Sequence, residues 1–137
     1  MAETIKEVEY FYATVEDKPG EASRLLKNFS EKGVNLIALT AFPLGDGQSQ
    51  IDFFPEKPDK LLKAAIDIGL TLIGPKKAFL IQGEDRIGRL VEYHLKLSNA
   101  KINVHASNGV SDGSGRFGYV LWVKPEDYEK AAQVLGA

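Results

Sequence analysis

Cysteine is absent from the 137-residue chain. That excludes disulfides, thiolate nucleophiles and cysteine metal sites. Histidine is scarce: His94 and His105 have no Asp or Glu at ligand-like spacing, so no metal is expected. His94 reads as a packed helix residue and His105 as a residue where two modules meet. Long apolar runs are missing too. Leu70-Thr71-Leu72-Ile73 is among the longest, far short of the about 20 residues that span a bilayer. The N-terminal Met-Ala-Glu-Thr-Ile-Lys-Glu carries no apolar signal core, so a cytoplasmic address is expected. Neither sign of charge dominates: the net charge is −2, which gives no reason to expect nucleic acid. Lys76-Lys77 and Arg86/Arg89 are too sparse for a phosphate track, although the two arginines suit an anionic ligand. No serine sits in a nucleophile elbow, and no Gly-rich loop has phosphate-binding form. Neither an enzyme nor a cofactor is expected.

What the chain does contain is a repeat. Asp17-Lys18-Pro19-Gly20, a helical stretch and Gly33-Val34-Asn35-Leu36 return as Asp85-Arg86-Ile87-Gly88, a helical stretch and Lys101-Ile102-Asn103-Val104. Asp85, Gly88 and Asn103 each stand 68 residues after Asp17, Gly20 and Asn35. Gly113 and Gly115 answer Gly45 and Gly47 at the same offset, and Lys130-Ala131-Ala132 answers Lys63-Ala64-Ala65 at 67. Self-similarity at a fixed period means that one structural unit is built twice.

The unit reads strand, helix, strand, strand, helix, strand. Tyr10–Glu16 is aromatic and β-branched. Ala22, Leu25, Leu26 and Phe29 fall at helical spacing, and Gly33 ends that helix. Strands Val34–Phe42 and Gln48–Phe54 flank the turn Gly45-Asp46-Gly47. Asp59 is a candidate cap for a helix bearing Leu61, Leu62, Ala65 and Ile66, and Leu70–Ile73 closes the unit. In copy two the strands are expected near 77–83, 102–107 and 117–123, and the helices near 87–99 and 125–135. Its last strand is missing. The fold expected is α+β: two tandem ferredoxin-like βαββαβ units with antiparallel sheets, residues 1–74 and 75–137, the second unit lacking its last strand. Core-facing positions are Phe11, Ala13, Val15, Val34, Leu36, Ile51 and Phe53, then Phe79, Ile81, Ile102, Val104, Tyr119 and Leu121.

Asp-Lys-Pro-Gly at a strand end, an amphipathic helix and Gly-Val-Asn-Leu opening the next strand resemble the ACT domain. That module senses small molecules in enzymes and regulators of amino-acid metabolism. Copy one carries the pattern at Asp17, Pro19, Gly20, Gly33, Val34 and Asn35. Copy two departs from it, with Ile87 where proline is usual and Lys101 in place of glycine. The resemblance implies a tandem, non-catalytic regulatory module. It would bind an amino acid or similar metabolite at an interface between modules and act through a partner protein or an oligomer. The implied ligand-binding residues are Asp17, Lys18, Pro19, Gly20, Asn35 and Leu36, with Asp85, Arg86, Ile87, Gly88, Asn103 and Val104.

The chemistry of these residues supports that reading independently. A glycine turn lets backbone approach a ligand closely, and the helix that follows points unsatisfied N–H groups at a carboxylate. Asp17 suits an α-ammonium, and Asn35 offers both a donor and an acceptor. The plainer readings are that Asp17 caps the helix, Gly20 and Gly88 serve the turn alone, and Asn35 and Asn103 are turn residues. The alternative function is accordingly a structural protein–protein interaction module with no small-molecule ligand. An acylphosphatase-like enzyme needs a longer Gly-rich loop. An RNA-recognition sheet is disfavoured by the acidic chain and by apolar residues among its aromatics.

The sheet face opposite the helices is expected to carry Tyr10, Tyr12, Ile37, Leu39, Phe54, Leu80, Val120 and Trp122. Eight such residues are too apolar for water. Burial within one chain or in a homodimer would satisfy them, and the homodimer, with Trp122 and Tyr12 among its contacts, is the expectation.

Overall fold

The computed structural model describes residues 3–137. Among them the element order is β1 (Thr4–Glu16), α1 (Glu21–Glu31), β2 (Leu36–Gly45), β3 (Gln48–Pro55), α2 (Pro58–Asp67), β4 (Ile73–Glu84), α3 (Val91–Asn99), β5 (Ala106–Ser111), β6 (Arg116–Trp122) and α4 (Tyr128–Leu135). A short 3₁₀ turn, Pro125–Asp127, leads into α4. The fold is α+β, with strands in the order β2-β3-β1-β4-β6-β5.

The chain divides into two compact units, and the division cuts through two strands. The N-terminal unit is Glu9–Lys76. Its strands run β2-β3-β1-β4, using the second part of β1 and the start of β4. Phe11 pairs with Phe53 and Ala13 with Ile51 across β1 and β3. Their side chains join Leu25 and Phe29 of α1 and Leu61 and Ala64 of α2 in one core. Phe29 meets Phe53 edge-on at 5.2 Å. Each such side chain contributes roughly 1.5–3 kcal/mol by leaving water.

The other unit comprises Lys77–Ala137 together with the chain up to Val8. Its strands run β1-β4-β6-β5. The strand expected to be missing is therefore present: Thr4–Val8, the first part of β1, runs beside β4. Ile5 packs against the same core as Phe79, Ile81, Tyr93, Leu97, Tyr119, Leu121 and Ala131. Phe79 and Tyr128 stack at 4.7 Å. The segment escaped the sequence reading because Lys6, Glu7 and Glu9 leave it no clean alternation. Pairing with β4, which is non-local, makes it a strand.

All thirteen expected core positions lie in or against the two cores. Several boundaries differ. Gly74-Pro75 lies inside β4. Asp59 sits in the first turn of α2; the N-cap is Lys57 and no side chain caps it. The β5 strand begins at Ala106, four residues later than expected, because Ile102 and Val104 are spent on the core before the chain pairs with β6. On the opposite sheet face Phe54, Leu80, Val120 and Trp122 are at most 8% exposed in the single chain. Their apolarity therefore calls for no second chain, which corrects the expectation that Trp122 is buried by dimerisation. Leu39 does not share that face: a register shift between Leu36 and Ala38 sets it opposite Phe53 of the core face, and both Ile37 and Leu39 stay about 40% exposed.

Candidate functional site

Both units build the same βα loop. Asp17 N–H donates to Gly47 O at 2.8 Å, and Asp85 N–H donates to Gly115 O at 2.8 Å. Gly20 has φ 89° and Gly88 φ 76°, a region that a Cβ disfavours. Glycine is thus favoured by the backbone at both places, whether or not a ligand binds.

The N-terminal loop is open and internally paired. Asp17, Lys18, Pro19 and Gly20 are all exposed. Gly20 is the N-cap of α1 and no side chain caps it, so Asp17 is not the cap. Lys18 Nζ lies 2.9 Å from Glu16; their hydrogen bond and mutual attraction raise the lysine pKa and lower that of the carboxylate. Glu21 pairs with Arg24. Asn35 is exposed and its amide donates to Glu56 Oε2 at 3.5 Å. Leu36 is half-buried against the core.

The C-terminal loop differs. A pocket of about 490 Å³ opens on it, lined by Asp85, Arg86, Gly88, Arg89, Leu90 and Val91 from the loop and α3. Gly109, Val110 and Ser111 of β5 and Phe117 and Gly118 of β6 complete the wall. The structure thus brings together three of the expected ligand residues, Asp85, Arg86 and Gly88. Ile87 points fully into solvent. Asn103 is exposed and Val104 packs on the core, and neither lines this pocket.

Side chains within the pocket are held in place. Ser111 Oγ donates to Asp85 Oδ2 at 3.0 Å and accepts from Gly113 N–H at 3.2 Å. The hairpin is pinned by Asp112, which accepts the N–H groups of Ser114 and Arg116 at 2.7 and 3.1 Å; these bonds hold its carboxyl below the usual range. Arg89 Nη2 donates to Glu3 Oε2 at 2.6 Å and its Nε to Glu84 O at 3.0 Å. Its guanidinium lies 5.6 Å from the Tyr93 ring and 5.4 Å from that of Phe117. Tyr93 Oη also donates to Glu3; burial first, then that carboxylate, pushes the phenol pKa up. Arg86 is exposed, and no residue described here pairs with it.

Ser111, Gly109 and Gly118 were missed by the sequence reading. The signal was in the repeat: Ala41, Phe42, Pro43 and Gln50 become Gly109, Val110, Ser111 and Gly118 at the offset of 68. Strand register confirms the equivalence, since Ala41 pairs with Ile51 and Gly109 with Tyr119. All four exchanges put a smaller residue in the pocket wall. A Cβ at Gly109 would also come within 2.9 Å of the Tyr119 ring. That ring is fixed by a 2.7 Å hydrogen bond between Tyr119 Oη and His94 Nε2, so His94 is a half-buried helix residue as expected. His105 is exposed. Among the described residues no three His, Asp or Glu groups are placed to hold a metal, and no helix is long and apolar enough to cross a membrane.

The architecture is shared with known structures. A protein from Bacteroides thetaiotaomicron superposes with a TM-score of 0.81 at 17% identity, over 96% of this chain and 88% of that one. The ligand-free regulatory subunit of aspartate kinase from Thermus thermophilus gives 0.67 at 16% identity, over 98% and 94% of the two chains. The corresponding subunit from Thermus flavus gives 0.65 at 16% identity, over 98% and 94%. At these identities the likeness is one of fold. No family model matches the sequence, and no curated protein matches it.

Proposed function

We propose that this chain is a non-catalytic regulatory module that binds an amino acid or a similar small metabolite. The observation that carries the reading is the pocket on the Asp85–Gly88 loop. It sets a carboxylate, an unpaired guanidinium and the approach to a helix beside one cavity, which suits a zwitterion. The resemblance of the loop motif to ACT domains and the fold shared with aspartate kinase regulatory subunits support it. On this reading the site lies within the C-terminal unit, and the module acts from the cytoplasm on a partner protein or within a homodimer. Thermal-shift measurements with each common amino acid test it. A ligand at about a hundred times its dissociation constant adds roughly 2.7 kcal/mol, enough to raise the melting point by several degrees. No shift with any amino acid refutes the amino-acid reading and leaves only another small metabolite.

One observation favours the second reading, an interaction module without a ligand. Ile37, Leu39, Phe42 and Leu44 of β2 are all 40% or more exposed, and β2 ends the strand order of its unit. An apolar edge strand is a template for another chain. Loss of self-association or partner binding on Leu39→Lys, without any amino-acid response, would favour that reading.

A further inference from the structure

We infer that the pocket of the C-terminal unit takes an α-amino acid with an uncharged, apolar side chain. The inference rests on the proposed amino-acid site and specifies what that site selects. Two charged groups in the pocket are free to meet a ligand. Asp85 gives one lone pair to Ser111 and keeps the rest of its carboxylate for an ammonium group. Arg86 is exposed on the rim, with its fork of donors open to a carboxylate. These two groups satisfy the two ends of a zwitterion and leave no charge over.

Arg89, the other cation in the pocket wall, is already spent. Its side chain is only 10% exposed, anchored to Glu3 and to Glu84 O and flanked by two aromatic rings. Even the backbone beneath is fitted to it, since a Cβ at Gly83 would lie 3.3 Å from its Nη2. A second carboxylate on a ligand therefore finds no cation. A basic side chain finds no acid, because among the described residues Asp85 is the sole carboxylate in the pocket wall. What remains for the ligand's side chain is Leu90 and Phe117, with Val91, 56% exposed, at the rim. A charge on the ligand's side chain gains no partner there, whereas methyl and methylene groups gain apolar contact. The N-terminal loop has the opposite character. At the equivalent positions it carries Glu21 for Arg89, Phe42 for Val110 and Gln50 for Gly118, and its Lys18 is taken by Glu16.

Isothermal titration calorimetry on the full chain provides the test, with leucine, isoleucine, valine, methionine and phenylalanine against aspartate, glutamate, lysine and arginine. An apolar amino acid is expected to bind at least about tenfold more tightly than any charged one. Removing the ligand's ammonium (4-methylpentanoate) or its carboxylate (3-methylbutylamine) is expected to cost about tenfold or more relative to leucine. Asp85→Ala and Arg86→Ala, each checked for native circular dichroism, are expected to weaken leucine by a similar factor, and Asp17→Ala to leave it unchanged. Tightest binding of an acidic or basic amino acid would overturn the inference while leaving the amino-acid site intact. So would loss of binding on Asp17→Ala but not on Asp85→Ala. No heat with any amino acid would overturn both.

Discussion

Glu3 links the start of the chain to the pocket-bearing unit, and Glu3→Ala measures that link. Its carboxylate accepts from Arg89 and from Tyr93 Oη. The Arg89 side chain is 10% exposed, that of Glu3 is 32% exposed, and Tyr93 is fully buried. The pair is neither a surface bridge, worth at most about 1 kcal/mol, nor a fully buried one, whose rupture costs about 3–5 kcal/mol. Arg89 keeps its bond to Glu84 O and its two ring contacts, which favours the lower half of that range. Tyr93 loses the acceptor for a buried hydroxyl. Together these place the loss at about 2–3 kcal/mol. With an unfolding entropy near 2.1 cal/mol/K per residue, the melting point should fall by about 7–10 °C. Differential scanning calorimetry reads this directly. Tyr93→Phe alone and in the Glu3→Ala background completes a double-mutant cycle, with a coupling of about 0.5 kcal/mol or more expected. Lys18→Ala, which removes a fully exposed pair, is the control and should not move the transition. A Glu3→Ala protein that melts within a degree of the parent would show that this carboxylate does not anchor the N-terminal strand.

Gly20→Val and Gly88→Val place a β-branched residue at φ 89° and 76°. Each should cost at least about 1–2 kcal/mol in a denaturant titration, but amino-acid binding should be lost only in Gly88→Val; loss in Gly20→Val alone would move the site to the other unit. Asp52 is 4% exposed, and burial raises its pKa despite a 2.9 Å bond from Gln50. A raised folded-state value means that its contribution is fully present below the unfolded pKa and is lost as pH rises through the folded one. Asp52→Asn should therefore raise the melting point at pH 7 relative to the parent, with the gain vanishing near pH 3; a gain independent of pH would refute this assignment.

The sequence by itself determined what repeats and what is local. The offset of 68 residues reappears in the structure as equivalent backbone bonds: Val34 N–H to Phe29 O and Ile102 N–H to Leu97 O are both 2.9 Å. Alternation within strands and 3.6-residue spacing within helices named the core side chains, because both depend on which face a residue occupies. The glycines of the two loops were legible because a positive φ strongly favours glycine. Tertiary structure alone decided the rest. Thr4–Val8 became the fourth strand of the C-terminal unit through pairing with β4, some seventy residues away in sequence, which no local pattern encodes. The wall of the pocket on the C-terminal loop was not set by the motif, since Asp17 and Asp85 occupy the same turn while the equivalent residues on β2 and β5 differ in bulk. Arg89 reads as a free cation in the sequence; only the fold brings Glu3 to it, and that contact decides what charge the pocket has left to offer.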